Sequence, residues 1–434
     1  MGMQRIAFPV LEPRLQRRYV KMVQGHLHSV PKLAAGISAL PDSSSAFAAT
    51  QGAWRFLNND KVTLSSLITP LREVGLERAN QEGGAAFDML VIDWCKLSFL
   101  YPKSDEIQLT HQTDIGYELT TALLVSADNG APLAPMEMLV KTADGLLSTR
   151  PGARNVSHLE QVQPLMRASK SWGLNKPTLF VIDREADSVD YLRRWNAAGH
   201  LYLIRGDARI VRWNNQTINT TKVALQLRAS RSFQQVGSAL HQGKSAQLWV
   251  AETDVSLNRA ARKNVKGERY NVPGRKLPLR LVVVQLRTAS GKVLAEWLLL
   301  TNAPTELATA QKLAFCYYWR WRIESFFKLL KSHGQHLESW QQETGLAIAR
   351  RLLIASMACV VVWGLQADES PAATKLKNTL VRLSGRQTKR AKPHTAPALL
   401  AGLWVLMSML ELLQHVNLHQ LKNLAKSIPF INTE

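Results

Sequence analysis

Residues 178–187 read TLFVIDREAD, an apolar, β-branched run that stops on charge. Thr178, Val181 and Ile182 favour a buried strand, and Asp183 ends it. A carboxylate that ends a buried strand is costly unless something pairs with it, and a metal ion is one such partner. Upstream, FDMLVIDWCKLSFL at 87–100 reads as another buried strand, with Asp93 inside its apolar stretch. Taken alone, either acid reads first as a turn or helix-cap residue, and the metal reading gains weight only in combination with a third acid. YELTTALLVSADNGAPLAPMEMLV at 117–140 predicts two strands joined by a turn at Asn129-Gly130. A helical pattern follows at 158–172. Strands and helices in this order predict an α/β fold with a mixed-sheet core.

Beyond residue 200 the texture changes. LYLIRG, SAQLWVA, LPLRLVVVQL and EWLLLTN alternate with turn-rich segments over 201–300 and show no convincing helix. This predicts a β-rich insertion. It carries a basic loop in which eight Lys or Arg and one acid, Glu268, lie between Arg259 and Arg280. Such a loop is either solvated surface or a phosphate contact. Residues 1–80 predict short helices, one over Ser45–Asn58 with Phe47, Trp54, Phe56 and Leu57 at helical spacing, another starting at the N-cap Thr63. With Arg14, Arg17, Arg18, Lys21 and Lys32 this region is either a packing subdomain or a DNA-binding domain. Residues 305–365 read as helical, 366–397 as a basic linker, and 398–426 as a Leu- and Met-rich helical cap or a homodimer surface.

Composition narrows the partner. The 434 residues hold 54 Lys and Arg against 33 Asp and Glu, a net charge of +21. That balance favours a polyanion, because neutralised phosphates release counterions whatever the base sequence. At 46% hydrophobic residues the chain can bury a large core, which excludes a disordered protein. Cys95, Cys316 and Cys359 lack metal-ligand spacing and read as free thiols in a reducing compartment, consistent with the cytoplasm. The N-terminus shows no signal-peptide pattern. The apolar stretches 352–365 and 398–410 fall short of the roughly 20 residues a spanning helix needs and are expected to be buried core helices, with no membrane partner.

The third acid stands on a helix. In LAFCYYWRWRIESFFKLLKSHG (313–334), Tyr317, Arg320, Glu324, Lys328 and Lys331 follow at steps of 3, 4, 4 and 3. At about 100° per residue they form one narrow stripe. Trp319, Ile323, Phe326, Phe327 and Leu330 fall roughly opposite and can face the core. A solvated helix face accounts for the Glu324–Lys328 pair but not for the tyrosine or the excess of cations. A metal-binding carboxylate beside phosphate-binding cations is what phosphodiester chemistry needs. Two hard cations on carboxylate oxygens can activate a water or a 3′-hydroxyl and stabilise the leaving oxygen.

The spacing Y-x2-R-x3-E-x6-K of Tyr317, Arg320, Glu324 and Lys331 resembles the YREK signature of the bacterial insertion-sequence-four transposases. DREAD at 183–187, QGAWRFLNN at 51–59 and WLLLT at 297–301 are similar to that family as well. The three acids fall in the same order, 90 and 141 residues apart, and the resemblance spans about 45–365. It implies an RNase H-like catalytic core at 81–200 and 304–366, interrupted by the β-rich insertion at 201–303. Helical regions would flank it, a DNA-binding domain at 1–80 and a linker with helices at 367–434. Asp93, Asp183 and Glu324 would be the catalytic, metal-binding triad for Mg²⁺, with Mn²⁺ as a substitute. Tyr317, Arg320, Lys328 and Lys331 would hold phosphates near the element's end. Trp297 and Trp321 match tryptophans that in relatives sandwich a flipped base during hairpin formation, core packing being the alternative. The implied activity is cut-and-paste transposition on double-stranded DNA by a homodimer, through nicking, hairpin formation and strand transfer. A metal-dependent nuclease without strand transfer and a non-catalytic DNA-binding remnant are the alternatives. One departure bears on Asp93. Relatives usually follow the first acid with Thr-Thr, whereas this chain reads DWCKL, and Asp88 is the rival.

Overall fold

The computed structural model describes residues 7–28, 43–109, 112–258, 261–265, 268–272, 274–385 and 394–426. Lys32, part of the basic loop and residues 386–393 of the basic linker therefore lie outside the described residues. Helices α1 (Pro13–His28), α2 (Ser43–Leu57) and α3 (Leu64–Gln81) come first. Thr63 caps α3 as expected, its Oγ1 accepting the Ser66 N–H at 3.1 Å. Then follow β1 (Asp88–Leu97), β2 (Ile107–Gln108), β3 (Ile115–Val125), β4 (Pro132–Thr142), β5 (Gly145–Ser148), α4 (His158–Ser169), β6 (Thr178–Ile182), α5 (Val189–Ala197) and β7 (Leu201–Arg205). β1 runs antiparallel to β3 and β3 to β4, whereas β6 lies parallel to β1 and β7 to β6. The order β4-β3-β1-β6-β7, three antiparallel strands and then two parallel ones reached through α4 and α5, is that of an RNase H-like core.

Next come β8 (Ile210–Trp213), β9 (Gln216–Asn219), α6 (Thr220–Ala229), β10 (Gln234–His241), β11 (Lys244–Leu257), β12 (Ala261–Val265), β13 (Glu268–Val272), β14 (Leu277–Arg287) and β15 (Val293–Thr301). These strands do not all stand apart from the core. β15 pairs with β7, and β14, β11, β8 and β9 extend the same sheet, which has 13 strands among the described residues. α6 corrects the reading of 201–300 as free of helix. Asn219 caps it by accepting the Thr221 N–H at 2.8 Å, while Val223, Ala224 and Leu227 bury its inner face. Its threonine-rich start masked that short pattern.

The chain closes with α7 (Ala310–Trp319), α8 (Trp321–Lys331), α9 (Gly345–Ala367), α10 (Pro371–Leu383), α11 (Ala396–His415) and α12 (Leu418–Lys426). The single helix read over 313–334 is two: Arg320 still donates to the Cys316 carbonyl, but just past it the Ile323 N–H bonds the Arg320 carbonyl three residues back, although the Arg320 backbone stays helical. The linker read over 366–397 contains α10. α9 and α11 are longer than the apolar stretches suggested, 23 and 20 residues, and both are apolar and long enough to cross a membrane. α9 is nonetheless buried inside the protein. α11 departs from the expectation of a core helix, since Val405, Met409, Leu410 and Leu413 are exposed. Phe47 and Trp54 of α2 are exposed too, while Phe56 and Leu57 are buried.

The pleat sorts the sheet's two faces. Met89 and Val91 of β1, Leu179 and Val181 of β6 and Leu203 of β7 join the cluster containing α1, α3 and α7–α11. Leu90 and Ile92, Phe180 and Ile182, and Tyr202 and Ile204 join the cluster of α4, α5 and α6. Because strand side chains alternate, every later residue of these strands has its face assigned in advance.

A buried imidazole ties the N-terminal helices to the rest. His26 Nδ1 lies 2.6 Å from Gln335 Oε1, and Trp404 Nε1 donates to the His26 carbonyl at 3.2 Å. Burial first, then the nearby Arg351 charge, push His26 down to about 3. The unfolded chain takes up a proton below about pH 6.5 that the folded chain refuses, so this contribution is complete above that pH and lost as pH falls toward the folded value. Acidification from about pH 6.5 to about pH 5 is therefore expected to cost roughly 2 kcal/mol at this residue. Urea unfolding at the two pH values should show that loss in the parent and a correspondingly smaller one in His26→Gln.

Candidate active site

The alternation of β1 and β6 sends Asp93 and Asp183 to the face covered by α7 and α8. The pairing of β1 with β6 ends at Ile92 opposite Ile182, so Asp93, within β1, and Asp183, just past the end of β6, take the next positions on adjacent parallel strands. Asp88 begins β1, opposite Thr178 at the far end of the pairing, and its carboxylate accepts the Lys176 N–H at 3.4 Å. It belongs to no site with the other acids.

Arg320, at the break between α7 and α8, lies among the acids. Its Nη1 donates to Asp93 Oδ2 at 3.0 Å, and its Nη2 donates to Glu324 Oε1 at 2.9 Å while standing 3.5 Å from Asp183 Oδ2. The Tyr317 hydroxyl donates to the other Asp183 oxygen at 2.9 Å. Three carboxylates from β1, from the end of β6 and from α8 thus converge on one guanidinium. The Arg320 side chain is 4% exposed, whereas those of Asp183 and Glu324 are 35% and 29% exposed, so the cluster opens to solvent on the side of these two acids.

The electrostatics follow from this geometry. Burial pushes Asp93 up to about 6 against the pull of Arg320 and of the Trp94 N–H, and the other two acids push the same way. Burial also acts upward on Asp183, but Arg320, the Arg184 N–H, the Tyr317 hydroxyl and Arg205 outweigh it and hold Asp183 below the usual carboxylate range. Burial opposes the charge on Arg320, yet Asp183, Tyr317, Asp93 and Glu324 more than compensate. Burial, with Asp183 beside it, raises the Tyr317 phenol. Arg205 was not anticipated from the sequence. It ends β7 on the acids' face by the same alternation.

The other expected residues surround this cluster. The Trp297 ring packs edge-on against Tyr317, centroids 5.2 Å apart. Trp321 is half exposed, with the Arg320 guanidinium 5.6 Å from its ring centre. Lys328 is exposed. Lys331 reaches the Lys96 carbonyl at 2.5 Å and Glu338 at 2.9 Å. On the opposite side of α8, Ile323, Phe326, Phe327 and Leu330 are buried as the stripe predicted. Trp319 is half-buried against the Asn129-Gly130 turn, where Gly130 takes φ +73° and a Cβ would fall 2.3 Å from the indole.

The donor set suits a hard divalent cation, since three carboxylates face a single guanidinium that balances only one of their charges. Among the described residues no three donors already stand close enough to form a finished cage.

A family model described as a transposase DDE domain matches residues 136–361, just over half of the chain. The match includes Asp183, Arg320 and Glu324 and leaves Asp93 upstream. No curated protein matches the chain. Among solved structures, the cryo-EM structure of piggyBac transposase synaptic complex with hairpin DNA aligns at a TM-score of 0.35 and 10% identity, covering 96% of this chain and 76% of that one.

Proposed function

This chain belongs to the transposase DDE domain family, and from that premise we propose that it moves an insertion sequence by cut-and-paste transposition. The observation that carries the reading is the convergence of Asp93, Asp183 and Glu324 on Arg320 from three separate elements. In this reading the three acids are the catalytic triad and would hold Mg²⁺, or Mn²⁺ in its place. The bound ions supply activation of water or a 3′-hydroxyl and stabilisation of the leaving oxygen.

The chain's own residues do the rest. Tyr317 fixes one Asp183 oxygen and so orients the other toward the shared space. Arg320 neutralises the acids until a cation is bound and then offers its guanidinium to the scissile phosphate. Trp297 and Trp321 bracket the site as stacking surfaces for a base displaced during hairpin formation. Residues 1–80 read the element's end, and a homodimer brings two ends together on double-stranded DNA in the cytoplasm, at the nucleoid. The YREK spacing supports assigning the chain to the insertion-sequence-four group.

The test is the purified chain, Mg²⁺ and a duplex carrying the element's terminal repeat. Nicked, hairpin and strand-transfer products are expected in that order. Nicks that never advance to hairpins would favour the nuclease alternative, and no cleavage under any divalent ion would overturn the reading. A second expectation concerns Lys328 and Lys331. Replacing both with Ala should lower the slope of log affinity against log salt by about 1.8, roughly 0.9 for each lost phosphate contact. An unchanged slope would reject both contacts.

A further inference from the structure

Directly after Asp93 the chain places an indole on the other face of the sheet. Trp94 points toward α4, where its ring stacks on His158 at 4.2 Å between centroids and 23° between planes. Its Nε1 donates to Glu185 Oε2 at 3.1 Å, in the short helical turn that follows Asp183. The same His158 ring lies between two carboxylates, with Nδ1 at 3.2 Å from Glu118 and Nε2 at 3.6 Å from Glu185. Glu118 stands on β3, opposite Lys96 of β1. The Trp94 backbone N–H meanwhile donates to Asp93 Oδ1 at 2.9 Å.

The register gives these contacts their meaning. Pairing between β1 and β6 ends at Ile92 and Ile182, so the strands part where the two acids begin. Two like charges on parting strands repel, and gathering them around a cation costs ordering free energy unless something has already fixed their spacing. The Trp94–Glu185 hydrogen bond rejoins the two segments one residue past Asp93 and two past Asp183. We propose that Trp94 and Glu185, braced by His158, form a clamp that presets the separation of Asp93 and Asp183 for divalent-cation binding. They are positioning residues, not ligands, and the inference rests on the metal-binding reading of the triad.

The test is Mn²⁺ titration of the full chain by electron paramagnetic resonance, read beside thermal unfolding. Trp94→Phe keeps a stacking ring and removes the N–H donor. It is expected to weaken Mn²⁺ binding about tenfold, the scale seen when outer partners of metal ligands are lost, while the melting temperature stays within about 2 °C. Glu185→Ala should match it, and the double variant should be no worse than either single one. Glu185→Gln, which retains an acceptor oxygen, should bind like the parent. Parental affinity in Trp94→Phe overturns the clamp. So does a melting temperature that falls in step with affinity, which would make Trp94 merely structural. Equal losses in Glu185→Gln and Glu185→Ala would make Glu185 itself a ligand and overturn it too. Asp183→Asn separates the two readings. If it abolishes Mn²⁺ binding while Trp94→Phe does not weaken it, only the clamp fails. If it binds Mn²⁺ like the parent, the triad itself fails.

Discussion

Asp183→Asn is expected to leave a folded protein that still binds the element's ends but cuts them about a thousandfold more slowly in Mg²⁺, a loss of roughly 4 kcal/mol of transition-state stabilisation. The substitution is nearly isosteric. The amide can still accept the Tyr317 hydroxyl hydrogen bond, made to Oδ1 at 2.9 Å, so the site's shape survives. What disappears is a charge. Asp183 lies below the usual carboxylate range because Arg320, the Arg184 N–H, Tyr317 and Arg205 overcome its burial. It is therefore ionised at every pH at which the protein would be assayed. An amide oxygen is a much weaker donor to a hard cation, and the leaving oxygen's charge would go unbalanced. End binding, measured by gel shift without metal, should stay near the parental value or improve, since one repulsive charge has gone. Cleavage within about tenfold of the parent in Mg²⁺ would remove Asp183 from the chemistry, and weakened end binding would give it a structural role instead.

The sequence made some of this site legible and concealed the rest for physical reasons. Glu324 could be found because a helix that buries Ile323, Phe326, Phe327 and Leu330 must present its other residues elsewhere, and periodicity is a local signal. Asp183 could be found because an apolar strand that ends on an acid is costly without a partner. The mixed sheet followed from the same alternation, and its strand order completes what the residues and the family resemblance implied. The surroundings of Arg320 were not legible. On a stripe with Lys328 and Lys331 it reads as a phosphate contact, but the structure buries it among three acids, two of which lie far away in sequence. Trp94, Glu118, His158 and Glu185 gave no signal either, because they meet only after folding, and DWCKL showed no more than a departure from the family's pattern. α6 and the exposed half of α11 were misread for a different reason. Local composition reports what a segment could do, whereas the neighbours that cover or expose it are set by the whole chain.

The second large effect concerns Arg320. Arg320→Met keeps the buried stem and removes the charge that three carboxylates share, and it is expected to destabilise the metal-free protein by about 3 kcal/mol. That value sits at the low end for a broken buried ion pair because Asp183 and Glu324, 35% and 29% exposed, can recruit water. Asp93, whose side chain is 16% exposed, cannot do so as readily. Its folded-state value is already raised to about 6, chiefly by burial, while Arg320 pulls it down; without Arg320 it rises further. A carboxyl raised above its unfolded value of about 3.9 contributes stability that is complete below that pH and is lost as pH climbs through the folded value. The part of the Arg320→Met deficit carried by Asp93 should therefore be absent near pH 4 and grow only as pH climbs past about 6, whereas the part carried by Asp183, which Arg320 helps to hold below the usual range, is already present near pH 4. Mg²⁺ gives a second signature. A cation that binds only the folded state, at about a hundred times its dissociation constant, adds roughly 2.7 kcal/mol, and more of the lost stability should return in the variant, where no guanidinium competes for the acids. Urea unfolding near pH 4 and near pH 8, with and without Mg²⁺, reads both signatures. A variant as stable as the parent, or one whose deficit ignores both pH and Mg²⁺, would show that the acids do not depend on Arg320 for their charge balance. The arginine would then have to act only on the DNA phosphate.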